Sequence, residues 1–355
     1  MRRSRKPLRA VRSVEGSNPS PSAGLPRDRD AREEPRVAGR CNTERDRLLR
    51  RVRRRCLLRY ATFGLTVARL AVVLGTPTGP AARQSLILFW GDRGGPGPAL
   101  RAMRPDGTDQ RLIYHAFANA KRPTLSPDGA WIAFDGASPG RPPMSDFDVQ
   151  IVRRSGKGRR TIAGSRSANE VDAQWSPDGR RLSFSRWPRS ADWHSSSVWT
   201  VGRDGGQLRR VGRGQIARWS PDGTKLVLDA PTKESDGNLV IVNSDGTGRR
   251  RLTKTRNLDQ PAGWSPDGRL ILLTRYTTSG TTEISVIRVD GDGFRRLAVV
   301  HGDEAGAAAW SPDGSKILYT NQPGRHPQCF VMNADGSHKH NISRNNFDDV
   351  ATSWH

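Results

Sequence analysis

The chain has 355 residues and a formal net charge of +24, with 34% hydrophobic and 6% aromatic residues. Its 37 glycines and 24 prolines suit many short strands joined by turns and argue against a helical bundle. Of three cysteines only Cys329 lies beyond residue 84, which excludes a disulfide framework within the repeats.

The charge is unevenly spread. Residues 1–84 hold 21 Lys and Arg against 7 Asp and Glu, and the remainder holds 38 against 28. Residues 1–55 lack apolar periodicity and read as a disordered basic leader. Within them, Val11 to Ser20 resembles the peptide made when a transfer-RNA gene is translated, which would place the true start downstream. The cluster Arg50-Arg51-Val52-Arg53-Arg54-Arg55 then precedes a mostly apolar run from Cys56 to Gly75. That is the layout of a signal peptide or signal anchor. Arg59 and Arg69 count against it, because a charge within such a segment costs roughly 2.5–3.5 kcal/mol. Residues 56–84 are expected to form a signal or anchor segment and a linker, giving an extracytoplasmic protein. A plain basic leader on a cytoplasmic protein is the other reading. No repeat falls within residues 1–84, so a chain beginning at Ser85 is expected to fold.

From Ser85 the sequence repeats. Trp-Ser-Pro-Asp-Gly starts at Trp175, Trp219, Trp264 and Trp310, and a fifth copy starts at Leu125. Proline presets φ at the second turn position, aspartate bonds nearby amides, and glycine takes the left-handed conformation. An aliphatic run follows each copy, such as Leu226-Val227-Leu228, so each copy is a strand–turn–strand hairpin. A third strand, a second turn (Asp204-Gly205, Asp245-Gly246, Asp290-Gly291, Asp335-Gly336, with Ser155-Gly156 as a degenerate version) and a fourth strand come next. A period of roughly 40–50 residues with several short strands is the signature of propeller blades. The repeat from Leu86 to Ile113 lacks its opening strand, and Val350 to Trp354 is an opening strand with nothing after it. Together they complete one blade. The reading is an all-β, six-bladed propeller of four-stranded antiparallel blades over residues 85–355, closed by the C-terminal strand.

On these motifs, residues 85–355 resemble the TolB-type propeller family, whose blades carry Trp-Ser-Pro-Asp-Gly and the later Asp-Gly turn. Residues 1–84 do not resemble the folded α/β domain that precedes the propeller in TolB itself. The Gly-His and Trp-Asp signatures of WD40 repeats are absent. The resemblance implies a non-catalytic interaction module that holds a protein partner at the channel mouth. Fold alone does not give function.

No nucleophile elbow, His-Glu-x-x-His, Cys-x-x-Cys or phosphate-binding glycine loop is present. His338 and His340 flank a turn and supply two metal ligands at most. Leu125, Trp175, Trp219, Trp264, Trp310 and Trp354 are expected to pack between blades rather than to stack carbohydrate. Basic doublets lie beside the fourth strands: Arg159-Arg160, Arg209-Arg210, Arg249-Arg250-Arg251 and Arg295-Arg296. They either protect the outer edges or meet an anionic partner, nucleic acid or membrane lipid. Few aromatics accompany them, which counts against nucleic acid.

Acidic residues precede the first strands: Glu170, Asp172, Asp259, Asp303, Glu304, Asp348 and Asp349. They are expected to rim one mouth of the channel. Five residues before the hairpin Trp or Leu stand Ala120, Glu170, Gly214, Asp259, Ala305 and Asp349, so the acids occupy alternate blades. Such a rim attracts a partner's lysine or arginine, or a hydrated cation. No cofactor is expected apart from such a cation. The competing reading is a propeller enzyme of the lactonase or glycosidase kind, or a cation-binding propeller, with its site in the channel.

Overall fold

The computed structural model describes residues 85–92, 99–115, 121–137, 147–189, 195–232, 235, 237–302 and 305–355. The leader, the signal or anchor segment, and Asp303 and Glu304 of the expected rim lie outside these residues.

Six four-stranded antiparallel sheets form the blades. The first contains β1 (Ile87–Asp92), β2 (Ala99–Met103) and β3 (Arg111–His115). The second runs β4 (Lys121–Leu125), β5 (Trp131–Ala137), β6 (Phe147–Arg153) and β7 (Arg160–Ala163). The third runs β8 (Ala168–Trp175), β9 (Arg181–Pro188), β10 (Ser197–Gly202) and β11 (Arg209–Arg213). The fourth runs β12 (Ala217–Trp219), β13 (Lys225–Ala230), β14 (Asn238–Asn243) and β15 (Arg250–Arg251). The fifth runs β16 (Leu258–Trp264), β17 (Leu270–Tyr276), β18 (Thr282–Arg288) and β19 (Arg295–Val300). The sixth runs β20 (Ala308–Trp310), β21 (Lys316–Asn321), β22 (Gln328–Asn333) and β23 (His340–Asn341). Finally β24 (Asp348–Trp354) pairs antiparallel with β1, Trp90 facing Val350, and completes the first blade.

The hairpin turn works as the sequence implies. In the third blade Ser176 Oγ donates to Asp178 Oδ1 at 2.6 Å and accepts the Arg181 amide at 2.9 Å. Asp178 Oδ1 also accepts the Arg180 amide at 3.0 Å, and Gly179 has φ 66°. The same bonds recur around Ser220, Ser265 and Ser311.

Apolar packing lies between blades, with one cluster at every junction. Ala133, Val149 and Ile151 of the second blade meet Trp175, Leu182 and Phe184 of the third. Ile87 and Phe89 of the first meet Leu318, Cys329 and Val331 of the sixth. The repeated tryptophans add a polar stitch to this packing. Trp175, Trp219 and Trp264 donate their indole N–H to Thr124 O, Gln174 O and Arg218 O, each the residue before the preceding blade's hairpin Leu or Trp. Trp354 donates to Ser85 Oγ at 2.6 Å.

Three of the four basic clusters have a role that neither expectation anticipated. Arg160 donates to Arg203 O at 2.9 Å, Arg250 to Asp290 O at 3.2 Å, and Arg295 to Asp335 O at 2.7 Å. In each case a fourth-strand arginine clasps the outer turn of the next blade. Charge-assisted bonds to carbonyls satisfy groups that a tight turn leaves unpaired.

Deleting Val350 to His355 uncovers β1 and the junction between the sixth and first blades, although only six residues are lost. The truncated chain should melt at least about 10 °C lower by calorimetry, since each kcal/mol lost shifts a domain of this size by roughly 2–4 °C. A shift of a degree or two would show that β24 does not hold the ring.

Candidate functional site

The first strands of the six blades neighbour one another in a closed circuit around the axis. The connections that enter them therefore frame one mouth of the channel. Glu170, Asp259 and Asp349 stand on alternate blades here, as their spacing implies. A solvated rim is not what they form, because all three are 0% exposed. Each has a partner that shields it. Arg186 Nε donates to Glu170 Oε1 at 2.7 Å. Arg275 Nε and Nη2 donate to the two oxygens of Asp259 at 2.7 and 3.0 Å. Asn345 Nδ2 donates to Asp349 Oδ2 at 2.7 Å. The two arginines also lie over aromatic rings, Arg186 at 4.4 Å from the centre of Trp199 and Arg275 at 3.8 Å from that of Phe294, which favours the cation further. Asp348 stays partly exposed, with His326 Nδ1 at 2.8 Å.

Two acids missed in the sequence complete the arrangement. Asp135 and Asp229 sit at matching places on β5 and β13, inside Phe134-Asp135-Gly136 and Leu228-Asp229-Ala230, and both are buried. An acid within an aliphatic second strand was the signal that could have found them. In the fourth blade Gly214 stands where the third has Glu170, and Asp229 takes over from the adjoining strand. Its Oδ1 accepts the amides of Gln215 and Ile216, both at 2.7 Å. A side chain at Gly214 would meet the Asp229 carbonyl oxygen at 2.4 Å, so only glycine admits this approach.

Asp135 belongs to a chain of charges across three consecutive blades. Arg122 of β4 donates to Asp135, whose Oδ2 also accepts the Asp172 amide at 3.2 Å. The Asp172 carboxylate in turn accepts Arg218 Nη1 from β12 at 2.9 Å. Arg122 and Asp172 occupy equivalent places on β4 and β8, at irregularities in the pairing, with φ of 47° and 57°. Non-glycine residues held there are strained by roughly 1–3 kcal/mol, a cost typical of functional sites. Along the network and the two flanking pairs, the arginine side chains keep 13–25% exposure and their carboxylates 0–11%. In each pair the arginine is thus the more exposed member and the acid the more buried.

Burial dominates the titration of these acids. It pushes Glu170 up to about 7 against the pull of Arg186, and Asp135 to about 6 against that of Arg122. Asp229 rises to about 7 although two amides oppose the shift, and Asp259 is raised although Arg275 opposes it. Among the described residues no three His, Cys, Asp or Glu side chains are grouped to hold a metal ion. His338 and His340 are engaged locally, His338 Nδ1 with Asn333 and Ser337 and His340 Nδ1 with the His338 carbonyl.

The folded chain holds protons on Asp135, Glu170 and Asp229 that the unfolded chain releases near pH 4. Between about pH 4 and 7 the native state binds more protons, so stability falls as pH rises. The turn aspartates, such as Asp313 at about 2 through its bond from Ser311, act oppositely, but only below pH 4. Melting temperature should therefore decline from pH 5 to pH 8, and Asp229→Asn should flatten that slope. An unchanged slope in the variant would show that Asp229 does not titrate in this window.

No protein-family model matches the chain. Among solved structures of similar fold, TolB from Acinetobacter baumannii is 18% identical over 76% of this chain and 66% of that one, with a TM-score of 0.64. The chain thus spans about two thirds of that structure's length. A putative TolB from Agrobacterium tumefaciens is 18% identical over 76% of this chain and 92% of that one, at 0.57. An oligogalacturonate lyase in complex with manganese is 14% identical over 74% of each chain, at 0.50. In fold, the chain is a TolB-like six-bladed β-propeller.

Proposed function

We propose that the chain is a non-catalytic interaction module that holds a protein partner at the mouth of its channel, outside the cytoplasm. The observation that carries this reading is the Arg122–Asp135–Asp172–Arg218 network. It holds two guanidiniums against buried acids across three blades, with Arg122 and Asp172 on strained backbone. A surface organised in this way suits the carbonyls and carboxylates of a polypeptide. The expectation of a partner's lysine entering an acidic mouth changes accordingly, since Glu170 and Asp259 are engaged by arginines and Asp349 by Asn345. Glu170, Asp259 and Asp349 act in this reading by fixing Arg186, Arg275 and Asn345 beside that network. Location outside the cytoplasm is supported by the basic cluster and apolar run at residues 50–75. Similarity to TolB structures and to a lyase is similarity of fold and carries neither role over.

The test removes both partners of one pair, because a lone buried charge would destabilise the fold. With the full chain as bait, Arg218→Gln combined with Asp172→Asn should abolish recovery of the partner that the unaltered chain captures. The melting temperature should move by only about 3 °C, as expected when both members of a polar pair are replaced together. Recovery undiminished by the double substitution would move the site off the channel wall.

A further inference from the structure

The six outer turns between third and fourth strands offer an internal comparison. Five of them carry an aspartate that caps the turn: Asp106, Asp204, Asp245, Asp290 and Asp335 accept amides two residues on, from Thr108, Gly206, Thr247, Asp292 and Ser337. The second blade departs from this pattern. Its turn reads Arg153-Arg154-Ser155-Gly156-Lys157-Gly158-Arg159-Arg160, all exposed, with five basic residues and no acid. Serine stands where the capping aspartate belongs, so the segment gives up its anion and gathers cations instead.

Those cations converge on a surface. The guanidinium carbons of Arg153, Arg160 and Arg203 lie 4.8, 5.6 and 6.0 Å from the ring centre of Trp131. Arg203 comes from the third blade, so the patch spans a junction. Asp128 Oδ2 lies 3.9 Å from Arg203, and Asp204 follows Arg203 but is engaged in capping its own turn. Arg159 turns away, donating to Gln150 at 2.7 Å and lying over Phe134. The turn that carries Arg203 ends in Leu208, an exposed large apolar side chain at 46%. Leu208 also lines an adjoining groove of about 390 Å³ with Arg181, Arg209 and Asp245.

We infer that this turn of the second blade, with Arg203 and Leu208, is a docking surface for an anionic lipid membrane. Four or more clustered Lys and Arg residues draw a protein to negatively charged headgroups. An exposed apolar side chain beside them is what interfacial binding adds. A nucleic acid is the less suited polyanion, because Trp131 lies beneath guanidiniums and offers no free face for a base. The strand order puts this turn at the end of the barrel of blades opposite the mouth where first strands begin. Docking here leaves that mouth facing away from the membrane, and the inference does not depend on what binds there.

The test uses the full chain and sedimentation with vesicles of phosphatidylglycerol and phosphatidylcholine in equal parts. Arg153→Gln, Arg154→Gln and Lys157→Gln together should weaken vesicle binding about a hundredfold, roughly fivefold per charge. A charge-matched control, Arg269→Gln with Lys316→Gln and Arg325→Gln, should change it by less than about fivefold, because binding depends on place and not on net charge. Equal weakening by the two triples, or no weakening by the first, overturns the inference. So does preference of the same residues for a single-stranded oligonucleotide over vesicles. Loss of vesicle binding with partner capture intact separates this surface from the channel.

Discussion

Each blade is a sheet with two apolar faces, and no blade covers both by itself. Every junction cluster joins two blades, so the apolar surface leaves water only when the circuit is complete. The pairing of β24 with β1 is the step that completes it. The tryptophan stitches and the arginine clasps are second-order to this constraint. They fix the angle and spacing of blades that burial has already brought together. Directional bonds to backbone carbonyls suit that task, because packing of aliphatic side chains is not directional.

The charged wall of the channel rests on the same geometry. First strands lie close around the axis, so an acid on one and an arginine on the next strand or blade are brought within bonding distance. Burial raises the cost of each carboxylate, and the arginine offsets much of it. The aromatic rings behind Arg186 and Arg275 hold the guanidiniums in one orientation. In the proposed reading these guanidiniums are donors whose positions are set in advance, which would lower the entropy cost of binding a partner.

The fold was legible because its signal is local and repeated. A five-residue turn, its recurrence and a split repeat are all one-dimensional features. The alternate-blade placement of Glu170, Asp259 and Asp349 was legible for the same reason. Their burial was not, because it depends on Arg186, Arg275 and Asn345, which lie 16, 16 and 4 residues away with no mark of pairing. Asp135 and Asp229 were hidden inside aliphatic runs that read as strand. The arginine doublets were visible, but their acceptors are carbonyls roughly 40 residues on, and backbone acceptors leave no trace in a sequence. The degenerate Ser155-Gly156 turn was seen, while the gathering of Arg203 onto the same tryptophan required the fold.

The closing strand also bears on how the chain reaches its native state. Trp354 and Ser85, bonded to each other, are 269 residues apart in sequence. Hairpins within blades form early, since their loops are short. The contact that seals the circuit must overcome the largest loop-closure entropy of all and gains its reward last. Before it forms, two blade faces stand bare with an unpaired strand edge between them. A chain lacking that closure would leave the edge open to aggregation and to pairing with another copy of itself.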